Sequence, residues 1–235
     1  MLFPELHSKA RNSMKPSRAF IAGLYRRLFR KPKEKVFVIG FHKTGTSSLG
    51  KALQMLGYKV CGSLKEGYDF TSQEDPVPEY LISKAKPLLN SYDAFQDTPW
   101  FLLYHQLYEL YPNARFILTE REEKAWLKSV QGHFGRDAYP YHAYIYGTVD
   151  SIANGDVYLK KYREHNAAVR NYFYDKPGQL LIIDLPNLRQ PWSVISEFLD
   201  VKRPKFSFPH ANKEDSRGKL TTRLKKLLKK YYYSS

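Results

Sequence analysis

The stretch Val36 to Tyr58, VFVIGFHKTGTSSLGKALQMLGY, constrains this chain more than any other, because it packs an apolar strand, a glycine-bounded turn and an amphipathic helix into one unit. Val36 to Ile39 form a short apolar run suited to a strand buried on both faces, and Gly40 follows at once. Gly40 and Gly45 let the intervening GFHKTGTS turn tightly enough to aim its amides inward. A helix is predicted from about Thr46, with Leu49, Ala52, Leu53 and Leu56 on one face. The free amides at such a helix start, together with its dipole, favour a bound phosphate.

The glycines match the phosphate loop GxxxxGK[ST], but Thr46 stands where that pattern has lysine, and the lysine sits inside the loop as Lys43. In nucleoside triphosphate hydrolases the lysine after the second glycine reaches the outer phosphates and the next hydroxyl holds magnesium. The displaced lysine therefore argues for a different phosphate ligand.

GFHKTGTSSL resembles the 5′-phosphosulfate loop of sulfotransferases that use 3′-phosphoadenosine 5′-phosphosulfate. The stretches SYDAFQDTPWFLLYHQLYELYPNARFILTEREEKAWLKSV, YREHNAAVRNYF and FPHANK are similar to blocks of a compact, mostly bacterial branch of that superfamily, so the resemblance covers roughly residues 35 to 215. It implies an α/β, three-layer P-loop-like fold, with a central, mostly parallel sheet of about five strands and helices on both faces. It implies a cofactor site built from His42, Lys43, Thr44, Gly45, Thr46 and Ser47. It leaves the acceptor open.

Alternating strand and helix signals lead independently to a parallel sheet covered on both faces. Strands are predicted at Val36 to Ile39, Tyr58 to Val60, Asp93 to Gln96, Arg115 to Thr119 and Gln179 to Ile183. Helices are predicted at Tyr80 to Asn90, Trp100 to Leu110, Glu123 to Val130 and Trp192 to Leu199, with a long helical middle rich in aromatics. Ligands of such sheets sit beyond the carboxyl ends of the strands, the edge to which Gly40, Asp97 and Arg121 all belong.

Arg121, just past a strand, and Ser129, about two helical turns on, can flank an anion. By the resemblance they bind the 3′-phosphate of the donor; the alternative is an arginine paired with Glu120, Glu122 or Glu123. Trp126 and Leu127 read as core. Asp97 can accept the proton of an attacking hydroxyl, or can cap the helix starting near Pro99. Related enzymes more often use histidine or glutamate as base, and His42, His133, His165 and His210 are rivals for the role. Lys213 and Arg217, in PHANKEDSRGK, match a late basic loop that closes over the 3′-phosphate in related enzymes.

The expected reaction is in-line transfer of a sulfuryl group from 3′-phosphoadenosine 5′-phosphosulfate to a hydroxyl acceptor such as a carbohydrate or glycolipid, leaving adenosine 3′,5′-bisphosphate and requiring no metal. Lys43 and the Gly45 to Ser47 amides stabilise the departing 5′-phosphate, and Asp97 or a histidine takes the proton. Two other readings are a small-molecule kinase with a variant loop, and a non-catalytic protein that binds nucleotides or anionic surfaces. Aromatics from Trp100 to Tyr108 and from Tyr139 to Tyr146 can line an acceptor pocket or fill the core.

The net charge of +15 resides in the ends of the chain. Residues 1 to 35 hold ten Lys or Arg against two acids, and residues 201 to 235 hold eleven against two. The middle is nearly neutral, which argues against nucleic-acid binding. Three parts are expected: a basic amphipathic tail over 1–34, the sulfotransferase-like domain over 35–215, and a second basic amphipathic tail over 216–235. Phe20, Ile21, Leu24, Tyr25, Leu28 and Phe29 fall on one side of the first tail, with Arg26, Arg27, Arg30 and Lys31 around them. Leu220, Leu224, Leu227 and Leu228 mark the second. No apolar run approaches the ~18 residues that span a bilayer. The tails can lie on an anionic membrane, dock on the domain, or stay disordered. A cytoplasmic protein, peripheral on the inner membrane surface, is the expectation, and the single Cys61 suits a reducing compartment as a buried thiol.

Overall fold

The computed structural model describes residues 18–29, 32, 34–69, 76–136 and 139–210. Lys213, Arg217 and the second tail lie outside these residues, as does the first tail before Arg18.

Five strands form one all-parallel sheet in the order β2-β3-β1-β4-β5. They are β1 (Val36–Val38), β2 (Val60–Cys61), β3 (Ala94–Phe95), β4 (Arg115–Glu120) and β5 (Leu180–Asp184). The expected strands are all present, β2 one to two residues later than expected and β3 shorter. Parallel neighbours require crossovers, and these carry the helices. The helices are α1 (Arg18–Phe29), α2 (Thr46–Met55), α3 (Glu66–Asp69), α4 (Val77–Ser91), α5 (Tyr104–Leu110), α6 (Glu123–Phe134), α7 (Pro140–Tyr146), α8 (Gly155–Tyr172) and α9 (Pro191–Phe198).

Side-chain alternation along the strands builds a core on each face of the sheet. Phe37, Ile39, Phe95, Phe116 and Leu118 pack with residues of α4 to α8, including Leu81, Leu107, Trp126 and Tyr162. Val36, Val38, Ala94, Ile117 and Ile183 pack instead with Leu49, Ala52 and Leu53 of α2 and with Trp192 and Ile195 of α9. This is the three-layer arrangement predicted from the alternating pattern.

One predicted helix differs. Trp100 to Leu110 is not one helix: a 3₁₀ turn at Trp100–Leu102 precedes α5. Trp100 and Phe101 are fully buried and Tyr104 nearly so, and Trp100 donates from its indole to the Gly62 carbonyl, so these aromatics belong to the core and not to an acceptor pocket. Within the polar stretch Gly62 to Pro78, α3 forms a single turn. Cys61 is buried and its thiol is pushed up by that burial, as expected of a structural cysteine.

The strand order places the site. Leaving β1, the chain runs to β2 at one edge, returns through β3 beside β1, and then crosses to β4 on the other side, so the winding reverses about β1 and its carboxyl end marks the switch point. Crevices open at such points.

Candidate active site

The loop Gly40 to Gly45 hangs from β1 by close packing and by its carbonyl groups. At Gly40 a Cβ would stand 2.1 Å from Thr119 Oγ1, so only glycine lets the loop leave β1 against β4. The Thr44 hydroxyl donates to the Phe41 carbonyl at 2.6 Å and accepts from the Thr119 hydroxyl, also at 2.6 Å. The His165 ring, its Nε2 2.8 Å from the Ile39 carbonyl, donates there. Trp126 Nε1 donates to the His42 carbonyl at 3.0 Å, and the Arg121 guanidinium donates to the Lys43 carbonyl at 3.3 Å. Four loop and strand-end carbonyls are therefore turned towards the protein, which leaves the amides to face the other way.

Lys43 (φ 70°) and Gly45 (φ 100°) take left-handed backbone in making this turn. Gly45 then starts α2, its carbonyl accepting from Ser48 and Leu49 at 3.0 and 3.1 Å. The amides of Thr46 and Ser47 precede the first intrahelical bonds and sit at the positive end of the helix dipole.

A cleft of about 340 Å³ opens on this loop, lined by His42, Lys43, Gly45, Thr46, Ser47, Asp97 and the side chains Tyr68, His133, Phe134 and Tyr139. Asp97 follows β3 in left-handed backbone (φ 79°), its carboxylate accepting from the Thr98 amide at 3.0 Å. The 3₁₀ turn after it has no side-chain cap, which removes the capping alternative. Burial lifts the Asp97 carboxyl above the usual carboxylate range, while the Thr98 amide and the nearby Lys43 charge pull it back. A carboxylate poised upward beside a lysine, in a cleft, is an arrangement suited to proton transfer.

Arg121 is fixed from behind by Tyr162, whose hydroxyl accepts from the Arg121 amide at 2.8 Å and donates to its carbonyl at 2.9 Å. Each acid that could have neutralised it is engaged elsewhere: Glu120 pairs with Arg170, Glu123 with Arg163, and Glu122 caps α6 through the amides of Lys124 and Ala125. The guanidinium is directed at the Lys43 loop instead. Ser129 stands on α6 and is half-buried; neither it nor Arg121 lines the Asp97 cleft. The arginine approaches the loop from the β4 side, and Asp97 from the β3 side.

The histidines divide sharply. His42 is 4% exposed, its Nε2 3.1 Å from the Tyr146 hydroxyl and its ring stacked 5.1 Å from His142. Burial, then the charges of His142, Lys43 and His133, hold its pKa well below the ordinary value. A ring kept neutral and buried in an aromatic nest is poorly suited to act as a general base, whereas Asp97, the other predicted candidate, carries a carboxylate into the same cleft. His165 is half-buried, its pKa lowered to about 4 by desolvation of the ring, and it holds the end of β1. His210 lies out at the end of the described residues, near Phe208. Apart from the buried His42, His133 is the rival that shares the cleft with Asp97. Thr44 is fully buried and does not line the cleft, and its hydroxyl ties the loop to Thr119.

Tyr68 and Phe134 were not among the predicted site residues. Tyr68 reaches the cleft because α3 follows β2 at the same carboxyl edge of the sheet, a placement that the strand rule alone would have suggested. Tyr139, predicted as a pocket candidate, does line the cleft, whereas Tyr141 and Tyr146 are buried behind it. Among the described residues no group of three or more His, Cys, Asp or Glu is placed to hold a metal ion.

A curated relative, "Ava biosynthesis cluster protein M" of Aspergillus versicolor, is 27% identical over 212 residues, covering 75% of this chain and 80% of its own. The family model described as "Sulfotransferase domain" matches residues 35–154 and 140–217, well over half of the chain. The lysine-bearing loop, with Asp97 and Arg121 on either side of it at one sheet edge, lies within the matched residues, and by that match the chain belongs to the sulfotransferase family of transferases.

Proposed function

We propose that the protein transfers a sulfuryl group from 3′-phosphoadenosine 5′-phosphosulfate to the hydroxyl of a ring-bearing acceptor held against the wall formed by Tyr68, Phe134 and Tyr139. The observation that carries this reading is the loop's polarity. Its carbonyls are bound to Trp126, Arg121, Thr44 and His165, so that the amides, Lys43 and the start of α2 present one anion-binding surface.

The residues fit this donor by their chemistry. Lys43 with the Gly45 to Ser47 amides suits the phosphosulfate, while Arg121, with Ser129 further along α6, suits a second phosphate. Lys213 and Arg217 remain proposed additions to the 3′-phosphate site, outside the described residues. Apart from Asp97, the loop side of the cleft is lined by His42, Lys43, Gly45, Thr46 and Ser47, none of which carries a negative charge.

The donor supplies the sulfuryl group and a phosphate leaving group. Asp97 accepts the acceptor's proton as its oxygen bonds to sulfur, and Lys43 with the α2 amides stabilises the charge that builds on the oxygen leaving sulfur. Phe134, Tyr68 and Tyr139 exclude water and fix the acceptor ring; the Tyr68 and Tyr139 rings stand 5.0 Å apart. Burial, then the Asp97 charge, raises the Tyr68 phenol, which keeps it protonated and able to donate.

A relative named for a biosynthesis cluster is in keeping with a small-molecule acceptor. Family membership sets the kinase reading aside. The test is a screen of phenols, sugars and glycolipids with sulfur-labelled donor: label transfer that disappears in Lys43→Ala and Asp97→Asn supports the reading, and transfer unchanged in both refutes it.

A further inference from the structure

Helix α1 is built inside out. Its contact with the domain is made by small and charged residues: a Cβ at Gly23 would stand 2.2 Å from the Gln54 carbonyl, so the backbones touch there. Arg26 donates to the Met55 carbonyl at 3.3 Å, and Arg27 donates to the Gly57 carbonyl at 3.4 Å and pairs with Asp93. These carbonyls belong to the C-terminal end of α2, the negative end of its dipole, so two arginines are well placed there.

The opposite side is apolar and turned outward. Ile21 is 51% exposed, Leu24 50%, Tyr25 63%, Leu28 78% and Phe29 69%. At about 100° per residue, these five positions lie across the helix from Gly23, Arg26 and Arg27. A helix docked by arginines with its apolar row in solvent is placed to present that row to something else.

We propose that this face is a membrane-surface anchor for anionic bilayers. The charge of the surrounding sequence selects that occupant: residues 1 to 35 carry ten Lys or Arg against two acids, including Arg30, Lys31 and Lys33 directly after the apolar row. Two copies of such a segment repel each other, whereas an anionic lipid surface attracts both the row and its flanks. The row covers about two and a half turns, too short to cross a bilayer and suited to lying in its interface, where Tyr25 and Phe29 are favoured anchors. Among the described residues no helix is long and apolar enough to cross a membrane.

The position of α1 also sets the orientation of the enzyme. It grips the C-terminal end of α2, and the anion-binding loop is at the N-terminal end, so the anchor lies away from the cleft and leaves it open.

The full chain should sediment with vesicles of mixed phosphatidylcholine and phosphatidylserine at low salt. It should bind pure phosphatidylcholine at least tenfold less, and release as salt rises. The double variant Leu28→Glu/Phe29→Glu should lose at least tenfold in partitioning at an unchanged thermal midpoint, because both side chains face away from the domain. Adenosine 3′,5′-bisphosphate affinity should be equal on and off the vesicles; that readout is independent of lipid binding and separates this anchor from the proposed activity. Absence of binding to the anionic vesicles, equal binding to neutral ones, or binding undiminished in the double variant overturns the anchor. So does a lipid-free dimer, seen by light scattering, that the double variant abolishes.

Discussion

Replacing Asp97 by Asn tests base and scaffold at once, because the structure separates the two. Asn is nearly isosteric, keeps an acceptor for the Thr98 amide now 3.0 Å away, and tolerates the left-handed backbone at φ 79°. What it removes is the proton acceptor. General-base catalysis contributes about 10²–10⁴ in rate, or about 3–5 kcal/mol of barrier, so kcat should fall by that factor. Stability should not fall. Burial raises the Asp97 pKa in the fold, so its stabilising contribution is present below the ordinary carboxylate range and is lost as pH rises through the raised value. At neutral pH the ionised form is therefore the disfavoured one, and a neutral amide matches or improves on it. Asp97→Ala should differ, losing the Thr98 bond and placing alanine in left-handed backbone, together about 2–3 kcal/mol, or about 5–10 °C in thermal midpoint. Initial rates and thermal unfolding of both variants decide the matter. Activity of Asp97→Asn within tenfold of the parent, or a midpoint as low as that of Asp97→Ala, would refute the assignment of Asp97 as base.

Arg121→Ala should weaken adenosine 3′,5′-bisphosphate by about 10–100-fold, the worth of a charge-assisted contact, while leaving adenosine 5′-phosphosulfate, which lacks the 3′-phosphate, within a few fold; calorimetry compares the two. Thr44→Val should cost about 1–3 kcal/mol in urea unfolding, because the Thr119 hydroxyl and the Phe41 carbonyl each lose a partner 2.6 Å away in a fully buried site. Stability should fall with acid below about pH 6.5, because the buried His42 and His142 and the half-buried His165 are held neutral with lowered pKa values, about 3 for His142 and about 4 for His165. Each contributes up to about 1.4 kcal/mol per pH unit, stability being intact above the unfolded-state value and lost as pH falls towards the folded one. Urea midpoints across pH should show this slope, reduced by one proton in His142→Gln.

The loop was legible in the sequence because its parts are local: an apolar strand, two glycines, a lysine and a helical period lie within Val36 to Tyr58. Strand alternation placed Asp97 and Arg121 at the same edge as that loop for the same reason. What the sequence could not distinguish was which side of a residue faces the ligand. Thr44 and His42 sit in the loop beside Lys43, yet the Thr44 hydroxyl is bound by Thr119, 75 residues on, and the His42 ring meets Tyr146, 104 residues on. Those contacts are tertiary, and they hold the Thr44 hydroxyl inside the fold and fix the His42 ring from behind the cleft. The aromatics from Trp100 to Tyr108 were ambiguous because pocket walls and cores use the same residues; burial assigned them to the core. In α1, the helical period of the apolar residues was plain, but its direction was not, because the arginine-to-carbonyl contacts with α2 that turn it outward are not local.

The most direct measurement is thermal stabilisation by adenosine 3′,5′-bisphosphate in the presence of a chelator, set beside magnesium-ATP, in the parent protein and in Arg121→Ala. A two-phosphate site built from the Lys43 loop and Arg121 predicts a concentration-dependent rise with the bisphosphate in chelator, a much smaller rise in the Arg121 variant, and none with magnesium-ATP. Stabilisation by magnesium-ATP alone, or by neither ligand, would contradict it.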